Sequence, residues 1–171
     1  MRFLIPSPLP PSIPDMDHKQ NILTILQEVT DPEIPVLTIA DLGILRDVEI
    51  NGENVNVVIT PTYNGCPAMD MIAMNIRMAL LEHGYKNITI TSVLSPAWTT
   101  DWMTEEGKQK LKEYGIAPPA AWADDTADRE IECPRCHSTH TRLISEFGST
   151  ACKALYQCND CKEPFDHFKC H

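Results

Sequence analysis

Apolar positions follow a helical period in two segments of the chain. The first begins near Asp17 and stops before Pro32, since the residue that precedes a proline avoids helical dihedral angles. The second runs from Pro67, a residue suited to a first helical turn, to His83, with Gly84 at its exit. The stripes that are expected to face the core are Ile22, Ile25, Leu26 and Val29 in the first segment, and Ile72, Ile76, Ala79, Leu80 and His83 in the second.

Alternating apolar and polar positions predict strands over 44–50, 53–60 and 86–93. The first two flank Asn51-Gly52, a strong hairpin signal, and are expected to be antiparallel. A short charged helix follows over 104–114. Together these elements predict an α+β protein, in which a small α/β domain (helix, β-hairpin, helix, strand) precedes a C-terminal β module.

Composition divides the chain further. Residues 1–15 hold five of the 14 prolines and predict an extended leader. We expect the α/β domain to cover 16–116, an acidic linker with two prolines at its start to cover 117–131, and the β module to cover 132–171.

The formal net charge of −10 argues against a nucleic-acid backbone as partner, because such binding requires clustered lysine and arginine. No apolar run approaches the ~20 residues of a membrane span, and the N-terminal segment lacks the apolar core of a secretory signal. We therefore expect a cytoplasmic protein. In that compartment thiols stay reduced, so the seven cysteines are more plausible as metal ligands than as disulfides.

Six of the cysteines lie in the C-terminal forty residues or so. Cys133-x-x-Cys136 and Cys158-x-x-Cys161 have the paired spacing of a four-thiolate zinc site, and "RLISE" and "KALYQ" can form the β-hairpin of a zinc ribbon between them. An iron–sulfur cluster on the same four thiolates is the alternative. Because the site is closed, its role is predicted to be structural. Cys152 is expected to be a small buried residue, and Cys170 a free thiol or a spare ligand. The nearby histidines, expected first at the surface or in packing, are His137, His140, His167 and His171.

The seventh cysteine, Cys66, lies between Gly65 and Pro67, where a strand is predicted to give way to a helix. At the N-cap of that helix, backbone N–H groups and the helix dipole would favour the thiolate. Such a thiolate could be a nucleophile or a soft-metal ligand, and a small buried thiol in a tight turn remains the alternative. No histidine base is recognisable nearby in the sequence, which weakens a hydrolase interpretation. Polar neighbours that could support the thiol are Asp31, Asp41, Thr60, Thr62, Tyr63 and Asn64.

Two sets of large side chains have open roles. Trp98 and Trp102 could dock a partner or cover the core. The methionines after Cys66 could ligate soft metals, but their helical spacing favours core or an adaptable interface. These are Met69, Met71, Met74 and Met78.

"DPEIPVLTIADLGIL" followed by "TPTYNGCP" resembles the SufT-like, MIP-type family of iron–sulfur-assembly domains over about residues 17–95. The resemblance implies that Cys66 handles an iron–sulfur cluster or iron in transit, supported by loop residues Asp31, Glu33, Asp41, Thr60, Thr62 and Gly65. "ISEFGSTACKALY" and "FDHFKCH" resemble the D-subunit family of the multicomponent phenylacetyl-CoA epoxidase, over nearly the whole chain.

The second resemblance implies an accessory protein of aerobic phenylacetate degradation that is not itself an enzyme. It would assist iron–sulfur maturation of the oxygenase or reductase components through Cys66, with the iron–sulfur reductase as the favoured client and a homo-oligomer as a further option. Neither the Glu-x-x-His pairs of a di-iron bundle nor a dinucleotide-binding fingerprint occurs in the sequence. A structural subunit that stabilises the oxygenase–reductase complex, and a thiol-dependent enzyme, are the alternatives.

Overall fold

The computed structural model describes residues 15–119 and 131–169. Residues 1–14 of the predicted proline-rich leader, most of the acidic linker, Cys170 and His171 lie outside these ranges, and Asp15, the last residue of the predicted leader, begins the first helix. The mixed α+β class predicted from the sequence is confirmed, with helices and a small sheet first and a β-ribbon after them.

The N-terminal sheet has three strands in the order β1-β2-β3. Strands β1 (Leu45–Asn51) and β2 (Asn54–Ile59) are antiparallel, and β3 (Asn87–Ser92) lies parallel to β2. A parallel neighbour requires a crossover, which helix α2 (Ala68–Glu82) provides. Helix α1 (Asp15–Leu26) packs against α2 and β1. The loop between β2 and α2, which carries Cys66, therefore leaves one end of the sheet.

The predicted hairpin forms, but its turn is one residue later than predicted. Asn51 and Asn54 are paired across the ladder, so the two central turn residues are Gly52 and Glu53. Gly52 has a φ of +60° at the first central position, the conformation that a type II′ turn requires there. The inward residues of β2 remain those that alternation predicts: Val55, Val57 and Ile59 are buried.

The residues predicted to face the core from the two helical segments are buried or partly buried, except for His83 at the end of the second. Ile22, Leu26 and Val29 are buried, as are Ile72, Ile76 and Leu80 in α2. His83 is exposed because α2 ends at Glu82, and its Nδ1 lies 2.8 Å from the Ala79 carbonyl oxygen.

The C-terminal sheet has four strands in the order β4-β7-β6-β5. Helix α3 (Glu105–Tyr114) ends at Gly115 and leads directly into β4 (Ile116–Ala117), which pairs in parallel with β7 (Pro164–Phe168). The predicted hairpin corresponds to β5 (Thr141–Ser145) and β6 (Lys153–Cys158), while β7 was not predicted.

One edge of the ribbon packs into the core of the α/β domain, while the residues around its cage form a second, smaller buried cluster. Phe168 and Cys152 of the ribbon belong to the same buried apolar cluster as the α/β domain. Trp98 packs edge-on against Phe168, with ring centroids 6.1 Å apart, and its Nε1 donates to the Leu42 carbonyl oxygen at 2.7 Å. The ribbon is therefore held against the α/β domain by both apolar packing and a strand pair.

Among the described residues, no helix is both long enough and apolar enough to span a bilayer.

Candidate functional site

The four predicted metal ligands converge in the ribbon. The sulfurs of Cys133, Cys136, Cys158 and Cys161, here called the four-cysteine cage, all lie within 4.8 Å of one another. Two of the sulfur pairs are 3.8 and 3.5 Å apart. Sulfurs bound at about 2.3 Å to one tetrahedral zinc ion lie about 3.8 Å apart. The cage thus fits a single ion, whereas a cluster would place some of these sulfurs on different irons and need a wider cage.

The thiols of the cage differ in acidity. The N–H groups of Cys161 and Asp160 donate to the sulfur of Cys158 and lower its pKa to about 6, whereas burial and the neighbouring sulfurs raise the pKa of Cys136 and Cys161. A thiolate is the form that zinc binds. His137 and His140 are exposed, and their Nδ1 atoms face Glu132 and Asp160 at 2.6 and 3.2 Å. Four thiolates close the coordination shell, so the ribbon holds a structural zinc site with no open position for a substrate.

Cys66 lies half-buried just before α2, within hydrogen-bonding reach of backbone and side-chain donors. The structure places Pro67 at the N-cap, so Cys66 precedes the cap by one residue. The Ala68 N–H and the Tyr63 hydroxyl both hydrogen-bond to its sulfur. The sulfur is therefore next to amide donors, as the sequence analysis predicted.

The predicted preference for thiolate is wrong. Burial raises the pKa of the Cys66 thiol, and the charges of Glu33 and Asp31 add to that rise, while the Ala68 and Tyr63 hydrogen bonds offset only part of it. Desolvation and nearby anions both disfavour a negative sulfur. In the absence of a cation, Cys66 rests as the neutral thiol.

The acidic residues that were expected to support Cys66 divide into two groups. Asp31 is buried, and its Oδ1 accepts from the N–H groups of Glu33 and Ile34 at 2.7 and 2.9 Å. Burial raises the pKa of this carboxyl. The hydrogen bonds fix the loop so that Asp31 and Glu33 both act on the Cys66 thiol.

Asp41 has a different role. Its carboxylate accepts from the Thr38 N–H at 3.1 Å, from the Thr104 hydroxyl at 3.1 Å and from Lys110 Nζ at 2.9 Å. These hydrogen bonds lower its pKa in spite of burial. Asp41 thus secures the start of α3, which is a scaffold role.

The remaining supporting residues line the approach to the β2–α2 loop. Thr60 and Thr62 line a cavity of about 310 Å³ together with Tyr63 and Trp98. Thr60 Oγ1 is buried and has no hydrogen-bond partner among the described residues. Gly65 has a φ of +80°, a conformation that glycine adopts without strain, so it provides the tight turn before Cys66.

Sequence reasoning assigned no chemical role to Cys152. This thiol is buried, as predicted, but its sulfur lies 3.8 Å from Oε2 of Glu33, a residue 119 positions away. Tyr63, which donates to Cys66, also feels the charges of Glu33 and Cys152, and together with burial they raise its pKa. Glu33 thus contacts Cys152 directly and acts on Cys66 through its charge.

The two tryptophans and the methionines differ in how deeply they are buried. Trp98 is buried and belongs to the core, whereas Trp102 is partly exposed with the Arg46 guanidinium 3.5 Å from its ring centroid. Met69 packs against the core. The outer face of α2 carries exposed apolar side chains, here called the α2 methionine face: Met71, Met74, Met78 and Leu81.

Comparison with known proteins matches both halves of the chain. Residues 19–91 match the family described as iron–sulfur cluster assembly protein, and residues 117–169 match the PaaD zinc beta ribbon domain. A crystal structure of a domain of unknown function, DUF59, from Bacillus anthracis superposes with a TM-score of 0.53 at 25% identity, over 56% of this chain and 92% of that one. A Porphyromonas gingivalis protein named "Fe-S protein maturation auxiliary factor" is 36% identical over 56% of this chain and 92% of its own length.

Fold and site together define the class: an iron–sulfur cluster assembly domain joined to a zinc ribbon. An Escherichia coli (strain K12) protein, named as the D subunit of a "Putative 1,2-phenylacetyl-CoA epoxidase", is 53% identical over 87% of this chain and 91% of that protein. The chain belongs to the family of phenylacetyl-CoA epoxidase D subunits, and the names in this family and its neighbours support an accessory role.

Proposed function

We propose that this protein is a maturation factor for the iron–sulfur or iron-bearing components of a phenylacetyl-CoA epoxidase, and that Cys66 binds the iron–sulfur cargo. The observation that supports the proposal most directly is the position of Cys66. It is half-buried at the entrance of α2, beside two acidic residues, in the segment that matches the iron–sulfur assembly family.

The electrostatics of the site suit a ligand that arrives with positive charge. Burial, with the charges of Glu33 and Asp31 added, opposes ionisation of Cys66, so the resting thiol keeps its proton and is a weak nucleophile. An iron ion or cationic cluster reverses that balance, because a coordinating thiol loses its proton to the metal's field. The sulfur–iron bond forms, the proton leaves to solvent, and the same carboxylates then stabilise the cationic cargo. This resting state also disfavours a stand-alone thiol-dependent enzyme.

The client that we propose is the iron–sulfur reductase component of the epoxidase. A carrier must present its cargo to a partner, and the α2 methionine face lies on the helix that Cys66 precedes. Methionine side chains adapt to different partner surfaces. None of the described cysteines forms a disulfide, which is usual in a reducing compartment, and we therefore propose that this work takes place in the cytoplasm.

The test is to produce the reductase component beside either the unaltered protein or Cys66→Ser, and to measure iron and acid-labile sulfide per reductase chain. We expect Cys66→Ser to lower cluster loading several-fold, because a hydroxyl is a poor ligand for iron. Asp47→Asn, a change at a surface acid paired with Lys19, is the control and should leave loading unaltered. Full loading with Cys66→Ser would reject the carrier role.

A second candidate is a structural subunit that holds the oxygenase and reductase together, and the α2 methionine face favours it because large exposed apolar faces mark interfaces. For the two variants, this second function predicts results that differ from those of a carrier. Met74→Glu would then break the complex in size-exclusion chromatography, while Cys66→Ser would leave both the complex and its clusters intact.

A further inference from the structure

A cavity lies at the end of the N-terminal sheet where β2 and β3 both finish. Its volume is about 310 Å³, and its walls include Thr60, Thr62 and Tyr63 after β2, and Leu94, Ala97 and Trp98 after β3. The two strands are parallel, and the space beyond the carboxyl ends of parallel strands is a recurrent ligand site. The cavity is thus placed where such a sheet can receive a ligand.

The cavity wall contains a hydroxyl group that no described residue satisfies. Thr60 is 1% exposed, and its Oγ1 has no hydrogen-bond partner among the described residues. A buried hydroxyl without a hydrogen bond destabilises a fold, and native structures contain few such groups. The hydroxyl therefore points to an occupant that brings a hydrogen-bonding group of its own.

The size and the lining of the cavity restrict the occupant. Ligand cavities usually measure about 300–1,000 Å³, so this one is at the small end and suits a single side chain better than a cofactor. Its described lining residues are all uncharged, and the exposed Leu94 and the buried Trp98 supply apolar surface. An uncharged, largely apolar side chain beside a backbone amide fits these walls and the Thr60 hydroxyl.

An open sheet edge leads to this cavity. Among the described strands β3 pairs only with β2, so its outer edge presents unpaired backbone groups. Sheet edges are commonly protected from strand addition by charged residues or proline, and β3 (Asn87–Ser92) contains neither. Its exposed residues are Asn87, Thr89, Thr91 and Ser92. The edge can therefore accept an extended chain, and that chain would reach the cavity near Leu94.

We propose that an extended segment of the client pairs with β3 and places an uncharged apolar side chain in the cavity, where Thr60 hydrogen-bonds to the backbone of that segment. Main-chain pairing provides affinity in such strand addition, and the side-chain pocket provides specificity. Tyr63 lines the cavity and hydrogen-bonds to the Cys66 sulfur, so the bound segment would lie one side chain away from the thiol. This inference deepens the proposed function and rests on it, because the occupant is taken to be the client of a carrier.

Hydrogen–deuterium exchange of the full chain tests the surface directly. The protein is kept reduced, anaerobic and zinc-loaded, and the probe is the purified iron–sulfur reductase component. We expect the reductase to slow exchange at residues 60–64 and 87–94, with β5, an edge of the other sheet, as the unchanged internal control. Unaltered exchange in both segments would overturn the proposal.

Other occupants would also be visible in the same measurements. Protection of 87–94 that appears without the reductase and grows with protein concentration would identify a second copy of this chain as the occupant. A small molecule released when the purified protein is denatured, and absent from Ala97→Trp, would identify a free ligand. Either result would overturn docking of the client at this site.

Two substitutions separate the hydrogen bond from the space. Thr60→Val keeps the shape of the side chain and removes the hydroxyl, so it should weaken reductase binding about three- to tenfold in calorimetric titrations. Ala97→Trp places an indole at an exposed position of the wall and should weaken binding by about tenfold or more. Thr24→Val, at an exposed threonine of α1, is the matched control and should leave the affinity unaltered. Unaltered affinity in both cavity variants would contradict the proposal.

The stability of Thr60→Val distinguishes a docking hydroxyl from a structural one. Because the hydroxyl has no partner among the described residues, its removal should leave the Tm of the free protein unchanged or higher. A docking role thus predicts a variant that binds more weakly although it is at least as stable. A markedly lower Tm in scanning fluorimetry would show that the hydroxyl supports the fold, and would overturn its role in docking.

The outcomes separate this inference from the proposed function. If both cavity variants bind the reductase normally while Cys66→Ser lowers its cluster loading, the docking site is wrong and the carrier role stands. If the cavity variants lose binding while Cys66→Ser leaves loading intact, the docking site exists and the carrier role of Cys66 is wrong.

Discussion

The four-cysteine cage and Cys66 place sulfur in different surroundings. In the cage, four sulfurs from two short motifs lie within 4.8 Å of one another, the spacing that one tetrahedral ion requires. Cys66 is a single half-buried sulfur, and burial together with the charges of Glu33 and Asp31 raises its pKa. The cage therefore holds a full set of ligands, whereas Cys66 would need further ligands from a partner to hold a metal.

The largest effect should come from emptying the cage. Chelation of the zinc, or Cys158→Ser, should unfold the ribbon, because the apparent binding energy of structural zinc is about 10–16 kcal/mol in small zinc domains. Limited proteolysis between residues 131 and 169 and circular dichroism measure the loss. Cys152→Ser should keep its zinc and its protease resistance. A ribbon that survives zinc removal would contradict the structural assignment.

Weakening the contact between the ribbon and the α/β domain should have the next largest effect. Trp98→Ala removes the contact with Phe168 and the hydrogen bond to Leu42, and should lower the free energy of unfolding by about 3–5 kcal/mol in urea titrations. Trp102→Ala loses the contact with Arg46 and only partial packing against the core, so it should cost less than Trp98→Ala. Equal losses of unfolding free energy in the two variants would show that the contact of Trp98 with Phe168 adds no special stability between the two domains.

A pH titration of stability should distinguish Asp41, whose carboxylate is stabilised by hydrogen bonds and Lys110, from Asp31, whose carboxylate is destabilised by burial. The pKa of Asp41 is lowered in the folded state, so its stabilisation is present above the unfolded carboxyl pKa and lost as pH falls through the folded value. Asp41→Asn should therefore cost about 1.5–3 kcal/mol at neutral pH and progressively less in acid.

Asp31 should change stability with pH in the opposite direction. Its pKa is raised in the folded state, so its ionisation opposes folding at neutral pH and the penalty fades as pH falls. Asp31→Asn can still accept the loop hydrogen bonds and should be neutral or stabilising at neutral pH in the same urea titrations. A loss comparable to that of Asp41→Asn would show that Asp31 is a scaffold residue.

The smallest effect concerns the reactivity of the free thiol. In metal-free protein, the pH at which Cys66 becomes half-reactive towards iodoacetamide should lie above the ordinary value for cysteine, because burial and the acids raise its pKa. Glu33→Gln should shift that midpoint downward, while Asp47→Asn should not. Peptide mass spectrometry follows the alkylation at Cys66. A midpoint below the ordinary value would instead support the thiolate that was predicted from the backbone N–H groups at the start of α2.

Local patterns in the sequence predicted the local structure. The spacing of Cys133, Cys136, Cys158 and Cys161 was sufficient for the cage because each pair lies in one tight turn. Alternation and helical period located the helices and strands to within a few residues. Strands β4 and β7 were missed because the first has two residues and the second opens with Pro164, which weakens a strand pattern.

The contact between Cys152 and Glu33 could not be predicted in the same way. Glu33 and Cys152 are separated by 119 positions, and no local pattern relates them. The pKa of Cys66 was mispredicted because helix-entrance amides are visible in a sequence while desolvation is not. Asp41 was grouped with the site because its loop could approach Cys66 and because the family resemblance includes it, but its hydrogen bonds connect it to α3.

The direct passage from α3 through Gly115 into β4 has a practical consequence for protein engineering. Because Ile116 and Ala117 pair with Asp166 and His167, the ribbon cannot be exchanged between family members by cutting in the acidic stretch alone. A functional chimera must transplant β4 with its ribbon and must keep the Trp98–Phe168 pair matched. Grafts that respect this boundary would be tools for asking which epoxidase each ribbon serves.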